Sequence, residues 1–153
     1  QTDLSSSEAK ELIETYYETY PKLKNYMNEQ IHFARENGYV QTVLGRRRYL
    51  NAINASNAIV RGAAERNAIN APIQGSAADI IKIAMINIYN KLEEGNYKSK
   101  MLLQVHDELV FDIYKPELEI LKPMIKSEME NAFKLSVSLD VDLGLGENWL
   151  EAH

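Results

Sequence analysis

"MLLQVHDELVFD", residues 101–112, sets two apolar runs, Met101–Val105 and Leu109–Phe111, on either side of His106, Asp107 and Glu108. Both runs read as buried strands joined by a tight turn. Such turns favour Asn-Gly or Asp-Gly, because their central residues need positive φ. This turn has no glycine and instead carries an imidazole and two carboxylates. Neighbouring strand positions point to opposite faces, so Asp107 and Glu108 do not serve one ion equally. If its face lines a cleft, Asp107 is the better metal ligand and Glu108 an accessory. Magnesium suits such a place, since it takes oxygen ligands from one or two carboxylates plus substrate phosphates. A two-metal phosphoryl-transfer site needs a further aspartate from another strand. On pattern alone, the simpler account of the acidic tip is a solvated turn.

The chain around this hairpin has 153 residues, 45% hydrophobic and 25% charged, which suits one globular domain with a real core. It has no cysteine, which excludes disulfides and thiolate metal sites and fits a reducing compartment. No apolar run approaches the roughly 20 residues of a membrane span, so no membrane association is expected. The first residue is Gln1 rather than methionine, which reads as a piece of a longer protein. A net charge of −5 argues against a wholly basic nucleic-acid binder. Between Arg35 and Arg66, however, stand Arg46, Arg47, Arg48 and Arg61, opposed only by Glu36 and Glu65. A local basic stripe can attract phosphate on an acidic protein.

The pattern along the chain is α+β, with an antiparallel sheet flanked by long helices. Ser5 followed by Glu8 is a capping box and predicts a helix from about Ser6. Its Leu12, Ile13, Tyr16, Tyr17 and Tyr20 read as a core stripe. Pro21 restarts a second helix that ends at Gly38. Residues 39–50, with Gly45 at the turn, read as a hairpin whose tip is the basic "GRRRY". A helical region from about Ser56 to Glu94 is expected to kink or split at Pro72, and Gly95 to close it. After the 101–112 hairpin come a helix from about Pro116 to Phe133, kinked at Pro123, and a C-terminal strand in "LDVDLGLG", residues 139–146.

Two further groups bear chemistry. The arginine fork matches phosphate oxygens, although adjacent arginines at a hairpin tip also serve simply as a soluble surface. Arg66, Asn70 and Gln74 are spaced four apart and so share one helix face. Such a row can donate to the purine N3 and pyrimidine O2 acceptors that every base pair shows in the minor groove. A polar face bonded to neighbouring loops accounts for the same spacing. The small residues Gly75, Ser76, Ala77 and Ala78 read as packing.

"LLQVHDELVFD" resembles the palm motif of family A DNA polymerases. "GYVQTVLGRRRYL", "AERNAINAPIQGSAADIIKIAM" and "GENWLEAH" are similar to other C-terminal segments of that family, in the same order. The resemblance implies a partial palm with the end of the fingers: residues 1–38 the helical end of the fingers, 39–153 the later palm. The palm part would hold the basic hairpin 39–50 and the acidic hairpin 101–112. It implies that Asp107 and Glu108 bind catalytic Mg2+, with His106 near the primer end. Arg66, Asn70 and Gln74 would contact the template–primer minor groove, and Arg46 and Arg47 would lie near the primer terminus. Primer-template DNA and a deoxynucleotide are the implied partners, in a bacterial, cytoplasmic, nucleoid-associated setting.

The departures carry their own expectations. Nothing here is similar to the family's "DYSQIE" palm motif, which bears its other metal-binding aspartate, nor to its nucleotide-gripping fingers helix. Asn51, where the family commonly has proline, and Pro123 alter local geometry only. The chain is therefore expected to be a fragment of a DNA-directed DNA polymerase acting in replication or repair. Its two-metal site is incomplete, and it is inactive alone and self-associates as a homodimer. The alternative is a non-catalytic module that binds duplex nucleic acid through Arg46, Arg47, Arg66, Asn70 and Gln74.

Overall fold

The computed structural model of the protein describes residues 5–152; Gln1 and His153 lie outside them. Two compact units divide the chain, Gln1–Gly75 and Ser76–His153, with the boundary inside one long helix. This division by packing differs from the 38/39 division expected between fingers and palm, which concerns function in a larger protein.

The first unit opens with α1, Ser6–Thr19. Its capping box is formed: the Glu8 amide donates to Ser5 Oγ at 3.3 Å and the Ser5 amide to Glu8 Oε2 at 2.8 Å. Pro21 takes the first position of α2, Pro21–Asn37, where its missing N–H costs nothing. Gly38 ends that helix at φ +78°, the left-handed geometry that glycine adopts without Cβ strain. β1 (Tyr39–Gln41) and β2 (Arg47–Tyr49) pair antiparallel, Val40 opposite Arg48, with Gly45 at φ +80° in the turn. Ala34, Val40, Leu50, Ile53, Ala64, Ala68 and Ala71 form the core of the unit. Four of these seven are alanines, so backbones approach closely and the packing is thin in side-chain volume.

The stripe on α1 is not core. Leu12, Ile13, Tyr16 and Tyr20 are all exposed, and only Tyr17 is half-buried, its hydroxyl donating to Met27 Sδ at 3.4 Å. Helical spacing places residues on one face, but another element must cover that face before it becomes interior.

α3, Ala58–Glu94, begins after Asn57, whose side chain accepts from the Ile59 and Val60 amides. It runs unbroken through Pro72, so the expected split does not occur. Pro72 is buried, and a proline inside a helix removes only one backbone bond of the ladder. Past the end of α3, Asn96 rather than Gly95 takes the left-handed conformation, at φ +49°. Gly95 has a different reason to be glycine, because a Cβ there would run into the Tyr97 ring.

In the second unit β3 (Lys100–Val105) and β4 (Glu108–Asp112) form a two-stranded antiparallel sheet. The register is Gln104 opposite Leu109 and Lys100 opposite Asp112, with an irregularity between Met101 and Leu103. β3 is not a buried strand: Leu102 is 56% and Leu103 47% exposed. A short 3-10 turn, Lys115–Glu117, leads into α4, Leu118–Glu130, which is continuous across Pro123 and stops short of the expected Phe133. Ile88 and Leu92 of α3 pack with Leu121 and Ile125 of α4, and Leu109 and Phe111 lie against them.

The expected C-terminal strand is absent, since residues 139–146 have no strand pairing. Their alternation is real, but a strand exists only where a neighbour takes its backbone groups. Here the Val141 amide donates to the Glu130 carboxylate at 3.4 Å instead. The chain ends in α5, Trp149–Ala152, where the Glu151 amide donates to Asn148 Oδ1. The fold class is α+β, as expected, with two small antiparallel sheets among helices.

Candidate functional site

The basic hairpin and the polar helix face meet within the first unit. Arg46, Arg47 and Arg48 line a small cleft with Val40, Thr42, Ala71, Gln74 and Gly75. The Arg46 guanidinium donates to the Gly75 carbonyl at 3.1 Å, tying the hairpin to α3. Its amide donates to Thr42 Oγ1 at 3.2 Å, which closes the turn behind it. The Arg47 guanidinium lies over the Tyr39 ring at 4.4 Å, an arrangement that holds the group while leaving its in-plane N–H donors for an anion. Arg66, Asn70 and Gln74 are all exposed along α3, as their spacing requires.

The basic stripe is narrower than the sequence suggests. Arg35 pairs with Glu65 at 2.6 Å, and Arg61 lies 3.8 Å from the same carboxylate while bonding the Ala55 carbonyl. Those two arginines serve local structure. Arg46, Arg47 and Arg48 at the hairpin tip and Arg66 on α3 remain exposed.

The acidic residues lie in the second unit. His106 and Asp107 form the two-residue turn, with His106 at φ +54°, and Glu108 opens β4 opposite Val105. A residue with a side chain pays about 1–2 kcal/mol in that region, so the turn costs more than a glycine turn would. Gln104 braces it by donating to the His106 carbonyl at 2.7 Å. Asp107 is exposed and Glu108 half-buried. Among the described residues, no group of three or more His, Cys, Asp or Glu side chains is placed to hold a metal ion. Asp107 and Glu108 are thus too few donors for a magnesium site by themselves, since that ion asks for near-octahedral oxygen coordination.

Three residues that the sequence reading passed over support the acidic hairpin: Gln104, Ser99 and Glu117. Only Ser99 carried a signal, as a small polar residue just before an apolar strand. The partners that bury it are 15 and 18 residues away.

The first unit thus presents exposed arginines and amides, and the second a carboxylate-bearing turn. The chain belongs to DNA polymerase family A: the model of that family matches residues 1–151. It is 51% identical over 148 residues to DNA polymerase I of Caldicellulosiruptor bescii, and 53% identical over 149 residues to DNA polymerase I of Streptococcus pneumoniae. Both matches cover 97% of this chain and 17% of the relative. Among solved structures it is similar to the POL domain of Pol1 from M. smegmatis in complex with DNA primer-template and dNTP. There the TM-score is 0.95 at 46% identity, over 97% of this chain and 26% of that one. The chain therefore spans about a sixth of the length of the two DNA polymerase I relatives and about a quarter of that structure's chain.

Proposed function

We propose that this chain is the C-terminal fingers-and-palm part of a DNA-directed DNA polymerase, with residues 1–38 ending the fingers and 39–153 completing the palm. One observation carries this reading beyond the family match. Arg66, Asn70 and Gln74 stand exposed in helical register, and Gln74 shares a cleft with Arg46, Arg47 and Arg48. A primer-template duplex offers such a surface phosphates for the arginines and minor-groove acceptors for the amides.

In the parent reaction the primer 3′-hydroxyl attacks the α-phosphate of a deoxynucleotide, a P–O bond forms, and pyrophosphate leaves. The contribution of this chain is positional. Arg66, Asn70 and Gln74 hold the duplex by acceptors common to all base pairs, so alignment does not depend on sequence. Arg46 and Arg47 steady phosphates near the primer end. Asp107 and Glu108 supply part of the carboxylate set for a Mg2+ site, whose other donors come from elsewhere in the parent. The chain alone accordingly does not extend a primer. The relatives are bacterial, which supports a bacterial parent; a cytoplasmic, nucleoid-associated setting is part of the same proposal. No described helix is long and apolar enough to cross a membrane.

The test has two arms. The purified chain should show no magnesium-dependent primer extension. In the intact parent, Asp107→Ala should abolish turnover and leave DNA affinity within a few-fold, because the carboxylate acts at the reacting centre rather than on the duplex. Turnover that survives Asp107→Ala overturns the catalytic reading and favours a module that binds duplex without catalysis.

A further inference from the structure

The acidic hairpin poses a mechanical problem. Its turn is intrinsically unfavourable, with His106 at φ +54°, and its ladder is irregular between Met101 and Leu103. Turn type and an unbroken hydrophobic pattern are the usual devices that set hairpin register, and a one-residue slip sends every side chain to the opposite face. Neither device is strong here. Something else must hold Asp107 where it stands.

The mouth of the hairpin, at the end away from the turn, provides it. The Glu117 carboxylate accepts from the Lys98 amide at 3.0 Å through Oε1. Through Oε2 it accepts from the Ser99 amide at 3.0 Å and the Ser99 hydroxyl at 2.7 Å. Ser99 Oγ in turn accepts from the Tyr114 amide at 2.9 Å. Ser99 precedes β3 and Tyr114 follows β4, so one side chain joins the two strands just outside the Lys100–Asp112 pair. Ser99 is only 4% exposed, so its own bonds are partly shielded from water, while the Lys98 bond lies at the surface. Glu117 ends the 3-10 turn and is the N-cap residue of α4; its side chain makes no capping bond, but a negative charge there is favoured by the helix N-terminus. Leu121 and Ile125 then seat α4 in the core against Ile88 and Leu92.

We infer that Ser99 and Glu117 are positioning residues, a clamp at the mouth of the β3–β4 hairpin that fixes its register and thereby the place of Asp107. The inference rests on the polymerase reading for its kinetic consequence, but not for its structural one. A carboxylate is needed rather than an amide. Either orientation of a glutamine would present an NH2 group to an N–H donor that now finds an oxygen.

The experiment uses the intact polymerase that contains this chain, with Ser99→Ala, Glu117→Gln and a control, Asp107→Asn. Measured are kcat, KM for the deoxynucleotide, DNA affinity, and amide hydrogen exchange at Gln104 and Leu109. Both clamp variants should lower kcat by about tenfold or more, since a reacting group misplaced by about 1 Å costs on the order of a hundredfold. KM and DNA affinity should stay within a few-fold, and exchange at both amides should accelerate. Unchanged kcat and exchange overturn the clamp. So does a loss of activity that only tracks the folded fraction by circular dichroism. Should Glu117→Gln fail to fold, Ser99→Ala, which removes one oxygen, decides alone. Full turnover in Asp107→Asn would defeat the catalytic role of Asp107 instead, and the exchange rates would still decide the clamp.

Discussion

Gly75 and Thr42 stand in a contact that leaves no room for a side chain: a Cβ on Gly75 would lie 2.6 Å from Thr42 Cγ2 and 3.5 Å from the Arg46 guanidinium. This is what lets the basic hairpin approach α3 closely enough for Arg46 to reach the Gly75 carbonyl. The glycine costs helix propensity and is repaid in proximity.

Gly75→Ala therefore tests two opposed effects. Removing a helix-interior glycine gains about 1 kcal/mol in propensity, while overpacking against a stiff β-branched neighbour costs about 1–3 kcal/mol. We expect net destabilisation by chemical denaturation. Adding Thr42→Ser, which keeps the hydroxyl that binds the Arg46 amide and removes the methyl, should reverse it. Additive single effects in that double-mutant cycle would show that the contact is not the cause.

Arg66→Ala and Gln74→Ala in the parent should each weaken primer-template use. The loss should be roughly tenfold or less, as a net hydrogen bond is worth about 0.5–1.5 kcal/mol. It should be nearly the same for all four template bases, because the minor-groove acceptors are. Single-nucleotide kinetics on four templates would reveal any strong base preference, which contradicts this role.

Acid should loosen both units of the chain. Desolvation pushes the Glu117 carboxyl up, but the bonds from Lys98 and Ser99 and the Lys98 charge outweigh it and hold it below the ordinary 4.5. The bonds from Ser5 hold Glu8 below 4.5 likewise. A depressed carboxyl stabilises the fold above its unfolded pKa, and that contribution is lost as pH falls through the folded value. The urea midpoint should thus drop as pH descends below about 4.5, the ordinary carboxylate value. Glu117→Gln should be less stable at neutral pH and show a flatter acid limb. An unchanged limb would mean that the carboxylate is not linked to folding.

The isolated chain should self-associate, with a two-fold dimer as the simplest closed form. Leu102, Leu103, Ile86 and Tyr89 are exposed in the second unit, and a two-stranded sheet leaves an outer edge on each strand. Sedimentation of the chain at tens of micromolar should show a dimer, and Leu102→Lys with Leu103→Lys should return it to monomer. A clean monomer in the unsubstituted chain refutes the idea.

Much of this protein was written locally. The capping box at Ser5 and Glu8, the restart at Pro21, the left-handed Gly38 and Gly45, and the four-residue spacing of Arg66, Asn70 and Gln74 each depend on a few neighbouring residues. A sequence can state such features outright, and the motifs "LLQVHDELVFD" and "AERNAINAPIQGSAAD" were enough to point to the family that the whole-chain match then showed. Tertiary structure decided whatever needed a distant partner. It left the α1 stripe and Leu102 uncovered, and carried α3 unbroken through a buried Pro72. It gave the Val141 amide to Glu130 rather than to a strand, and spent Arg35 and Arg61 on Glu65. It also brought Glu117 back to Ser99 across 18 residues. Periodicity tells which side chains share a face, and a backbone group must be bonded somewhere; neither rule names the partner, which only the folded chain supplies.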